Sequence, residues 1–107
     1  MPKLDSHLKK ILGDAVDFAK DDLKKLISDA KSDSCEFIQK QGKDLEKYLA
    51  ALAKGDINKN EFADLIKGLT ALDTMEFRRL SVEVKVRAQE LSQQITELVI
   101  DGLIKMI

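Results

Sequence analysis

From Leu4 the apolar positions of the chain fall at Leu8, Leu12, Ala15, Ala19, Leu23, Leu26 and Ala30. They continue through Phe37, Gln41, Leu45, Tyr48 and Leu52. Steps of three and four residues in this order are helical periodicity. The mean step lies slightly above that of an ideal helix, nearer an eleven-residue repeat than a heptad, so the stripe stays straight or drifts gently right-handed. After a corner the pattern restarts at Phe62 and runs Ile66, Leu69, Asp73, Phe77, Leu80, Val84, Ala88, Leu91, Ile95, Leu98 and Gly102. The prediction is an all-α chain: a long antiparallel helical hairpin with arms at about 5–53 and 59–107. Each arm would span ~70 Å if unbroken. The 107 residues suffice for one domain.

Three places weaken the arms. "DAKSDSCE", residues 29–36, is built of poor helix formers, and Asp33 with Glu36 three residues later has the spacing of a capping box. Gly42 and Gly68 each cost about 1 kcal/mol in a helix interior. Kinks or breaks are therefore expected near 31–34, 42 and 68, and a break in either arm would turn the hairpin into a three- or four-helix bundle. Val82, Val84 and Val86 alternate with period two, a short strand signal. The helical phase passes through them from both sides, so the segment is read as helix.

The corner, "LAKGDINKNEFADLI", carries the Gly-x-Ile-x-x-x-Glu-Phe spacing of the second half of an EF-hand loop. Such a loop needs oxygen-bearing side chains at its first, third and fifth positions. Here those positions are Ala50, Leu52 and Lys54, which leaves Glu61 alone and excludes a calcium site. Capping accounts for every residue instead. Gly55 suits a left-handed helix stop. Asn58 with Glu61 makes a capping box, and Ile57 with Phe62 makes a hydrophobic staple. "GDINKNEF" resembles the helix-starting motif of short bacterial SHOCT-type domains. The resemblance spans eight residues and implies shared capping, with no activity attached.

On an ideal helical wheel the second arm shows a further apolar face. Met75, Val82, Val86, Ile100, Ile104 and Ile107 lie opposite the main stripe, interrupted by Gln93. A helix apolar on two faces wants neighbours on both, and a bare two-helix hairpin buries little surface. The expectation is a homodimer that pairs two hairpins into a four-helix bundle, with a compact intrachain bundle as the alternative. A protein partner on the same apolar face is the related reading.

Composition narrows the functions. The chain is 44% hydrophobic and 35% charged, with a net charge of −1. Its first 54 residues hold 11 lysines against 10 acidic residues, so neither half offers a basic footprint, and no nucleic-acid partner is expected. Cys35 is the only cysteine and has neither a disulfide partner nor a metal-binding spacing. Glu76, Glu83, Glu90 and Glu97 recur every seven residues, but no Glu-x-x-His accompanies them, as a di-metal bundle requires. They read as a solvated flank that Arg79 and Arg87 can pair with at Glu83. His7 is the only histidine, and its neighbours Ser6 and Asp5 do not face it on a helix. No phosphate loop or nucleophile motif is present. The residues therefore predict no catalytic, cofactor or metal site and no enzymatic activity. The N-terminus lacks the apolar core of a signal peptide, and no run is long enough to span a bilayer, so a cytoplasmic protein is expected. The functional expectation is a small helical protein acting through self-association or partner-helix binding. The alternative is an amphipathic protein that coats a membrane, lipid or granule surface, a reading weakened by the mixed charges of the polar faces.

Overall fold

Eight helical segments make up the computed structural model, which describes residues 2–12 and 17–106, with side chains described for 6–11 and 21–105. They are α1 (Pro2–Leu12), α2 (Asp17–Lys31), α3 (Glu36–Lys54), α4 (Lys59–Leu69), α5 (Met75–Arg78), α6 (Val82–Ile95), a π-helical stretch (Thr96–Leu103) and α7 (Ile104–Met106). No strand occurs among the described residues. The predicted arms are thus helical but not continuous. The longest dimension of the molecule is 40 Å, which no straight hairpin of ~70 Å arms would fit. The predicted passage of the first arm through 13–16 lies outside the described residues.

Among the described residues the first break falls at 32–35, within the weak stretch. The Asp33–Glu36 capping box does not form there. Asp33 Oδ1 instead accepts from the Cys35 N–H at 2.8 Å and from Arg87 Nη2 at 3.1 Å, and Cys35 takes the cap position of α3 without a side-chain bond. The turn folds α2 back along α3. Their backbones approach closely at Gly42, where an added Cβ would lie 2.8 Å from the Ala30 Cβ and 3.1 Å from the Lys31 nitrogen. Gly42 is therefore the seam of this crossing. The kink expected there is absent, and α3 runs unbroken from Glu36 to Lys54.

The corner between α3 and α4 is fully capped. Gly55 has φ 80°, and the Asp56 N–H donates to the Ala51 carbonyl at 2.9 Å while the Gly55 N–H donates to that of Leu52 at 3.2 Å. This is the Schellman pattern. Asn58 Oδ1 accepts from the Glu61 N–H at 2.8 Å, and the Glu61 carboxylate accepts from the Asn58 N–H at 3.1 Å. Phe62 then enters the core fully buried, with Ile57 half-buried against that core.

The second arm breaks twice. α4 stops at Leu69, next to the expected weak point at Gly68, and Thr70 Oγ1 bonds back to the Ile66 carbonyl at 3.1 Å. Thr74 then caps α5 through the Phe77 N–H, and Ser81 caps α6 through the Val84 N–H. The break at 79–81 overturns the reading of an uninterrupted helix through "RRLSVEVKV". Its physical cause is the competition of a serine hydroxyl for the backbone, which favours a cap over a helix interior.

One core joins these pieces. Leu8 of α1, Leu23, Ile27 and Ala30 of α2, Ile38, Leu45 and Leu49 of α3, Phe62 and Ile66 of α4, and Ala88, Leu91, Ile95, Val99 and Leu103 are all buried. The π-helical stretch sets the register of the last two. Its hydrogen bonds reach five residues back rather than four, so each turn takes more residues. A stripe at 91, 95, 99 and 103 stays on one line. An ideal α-helix would have turned Leu98 and Gly102 inward instead. Both are half-buried.

Candidate interaction surface

The six apolar residues predicted for a second face do not share one helix face, because two changes of helical path intervene. Met75 opens α5 and is 65% exposed. Val82 and Val86 lie one turn apart at the start of α6, 77% and 47% exposed. Ile100 lies within the π-helical stretch and Ile104 directly after it, and both are half-buried against the core. Ile107 lies outside the described residues. Exposed apolar surface is thus concentrated on α5 and the first turns of α6. Only one other large apolar side chain described in the structure is exposed, Leu65 of α4 at 37%. Leu65 falls beside the apolar stripe through Phe62 and Ile66, so helical periodicity does not mark it.

Leu65 stands on the lip of a groove of about 320 Å³ between α3, α4 and the start of α5. Phe37, Tyr48 and Leu69 give it apolar walls, and Asp44, Asp64 and Glu76 line it against the single ammonium of Lys40. Phe37 also meets Phe77 with ring centroids 6.1 Å apart, and the Lys85 ammonium lies 5.9 Å from the centre of the Phe77 ring. On the groove wall is Gln41, only 4% exposed. Its Nε2 donates to the Leu69 carbonyl at 3.3 Å and lies 3.5 Å from Ser92 Oγ. The first bond ties the end of α4 to α3, and the second contact reaches α6. Gln41 Oε1 is a buried acceptor without a donor.

The remaining candidates resolve into surface and packing. Glu76, Glu83, Glu90 and Glu97 are exposed. Arg87 pairs with Asp33 rather than Glu83, and Lys31 pairs with Glu46 at 3.2 Å. Partly exposed pairs of this kind contribute a few tenths of a kcal/mol. Cys35 is half-buried in the α2–α3 turn, and the half-buried His7 has an unpartnered Nδ1. Among the described residues, no three His, Cys, Asp or Glu side chains converge to hold a metal ion. No described helix is long and apolar enough to cross a membrane. Compared with models of known protein families, with curated proteins and with solved structures, the chain finds no match.

Proposed function

We propose that this is a small non-enzymatic helical protein that acts by self-association, through the apolar side chains that α5 and α6 leave in water. The observation that carries the reading is the pair Val82 and Val86. They lie four residues apart on one side of α6, largely exposed, while the same helix buries Ala88, Leu91 and Ile95 on another. A two-fold axis beside α6 would cover this strip with its own copy, the commonest way for a self-complementary patch to be buried. The neighbouring charges are of both signs (Arg79, Glu83, Lys85 and Glu90), which suits an antiparallel pairing of identical helices. The single free thiol suits a reducing compartment, and on that ground the cytoplasm is the compartment we assign.

Sedimentation equilibrium at low and high micromolar concentration tests this. The wild-type chain is expected to shift to a dimer as concentration rises. A Val82→Glu/Val86→Glu variant should remain monomeric with its helical circular dichroism intact. A wild-type chain that stays monomeric and folded at high micromolar concentration overturns the reading. A helical signal that climbs on adding anionic or neutral vesicles would move it to a surface-coating role.

A further inference from the structure

We propose that the groove between α3 and α4 is a docking site for a basic amphipathic helix of a partner protein, separate from the α5–α6 face and independent of whether the chain self-associates. Its shape comes first. The lining residues follow α3 from Phe37 to Tyr48, a run of ~16 Å, or about three helical turns. A furrow between two helices of that length is the geometry into which an amphipathic helix lays its apolar side. Its chemistry selects the kind of helix. Phe37, Leu65 and Leu69 supply the apolar contact, and three carboxylates line the groove with only one ammonium. A partner bearing lysine or arginine beside a leucine stripe matches both features, and an acidic helix matches neither.

Gly68 supplies an independent observation. It lies within α4 and lines the groove, yet an added Cβ would meet nothing within 4 Å. No packing among the described residues calls for a glycine there, and its φ is not left-handed. Glycine is the second-worst residue for a helix, after proline. Its presence keeps this wall of the groove low, which is what a helix approaching from outside needs. Gln41 completes the wall by tying the last turn of α4 to α3 through a part-buried bond to the Leu69 carbonyl.

The test is a fluorescence-anisotropy titration of a labelled leucine–lysine amphipathic peptide, about four turns long, with the full chain. Saturable binding is expected, weakened about tenfold by Asp44→Asn/Asp64→Asn and by added salt. Gly68→Leu should abolish it while melting no lower than wild type, and Gly68→Ala should weaken it less, whereas Val82→Glu/Val86→Glu should bind as wild type. Equal binding of a leucine–glutamate peptide overturns the proposal, as does undiminished binding by both Gly68→Leu and the Asp44/Asp64 variant. Should Gly68→Leu fail to fold, the Asp44/Asp64 variant decides alone. Displacement of the peptide by an equal concentration of spermidine would make the ligand a small cation. Loss of wild-type self-association in Gly68→Leu would make the occupant a second copy. Either outcome overturns the partner-helix assignment.

Discussion

A methyl group added at Gly42 would press on the Ala30 Cβ and the Lys31 backbone, neither of which can swing away. The same methyl at Gly68 would meet open space. Both glycines sit in helices, so Gly→Ala gains helix propensity at each, and the surroundings set the sign. Gly68→Ala is expected to stabilise the fold by about 0.5–1 kcal/mol, toward the lower end because the helix stops one residue later. Gly42→Ala is expected to destabilise it by about 1–2 kcal/mol through overpacking at the α2–α3 crossing. Urea melts of the two variants check both values, and equal signs would contradict the crossing described. From the sequence the two glycines look alike, because a side chain that is absent carries no periodicity. Only the neighbour 12 residues upstream distinguishes them.

At the scale of elements, local chemistry was legible and register was not. The α3–α4 corner is specified within eight residues by Gly55, Asn58 and Glu61, each bonding to backbone a few positions away. Thr74 and Ser81 cap in the same manner. Both hydroxyls stand three residues before the amide they accept from, a short-range signal that the apolar stripe running through 73–84 masks. The end of α6 is different. Five-residue hydrogen bonds bring Val99 and Leu103 to the core, and nothing in "TELVIDGL" announces them, since Leu98 and Val99 are equally apolar. Val99→Ala is therefore expected to cost about 2 kcal/mol, from lost burial plus a residual cavity. Leu98→Ala, at a half-buried position, should cost less although more atoms are removed. Thermal or urea unfolding of the pair checks the register, and the reverse order would restore an ideal α-helix.

For the whole molecule the decisive event is the fold-back at 32–35. It makes α2 a neighbour of α3, α6 and the π-helical stretch, and it shortens a ~70 Å rod to a body with a radius of gyration of 13.4 Å. Small-angle scattering at low concentration should return a radius slightly above that value, the excess being the hydration layer. A markedly larger radius that persists on dilution would mean that the arms open into the extended hairpin. The groove is a property of this scale alone. Phe37, Asp44, Asp64, Leu65 and Glu76 come from three elements, and no window of sequence holds them together.

The sequence by itself determined the all-helical class, the weak points near 31–34 and 68, and the residues that cap the corner. These rest on backbone propensity and on bonds between groups at most a few residues apart. Helical periodicity also marked most of the core, although in α3 the buried residues are Ile38, Leu49 and Ala53 beside the expected Phe37, Tyr48 and Leu52. Tertiary structure alone decided how the arms fold back, which of two adjacent apolar residues turns inward after Ile95, and whether a glycine is a seam or an opening. Those outcomes depend on which surfaces meet across the chain, and a pattern along one helix cannot encode the shape of its neighbour.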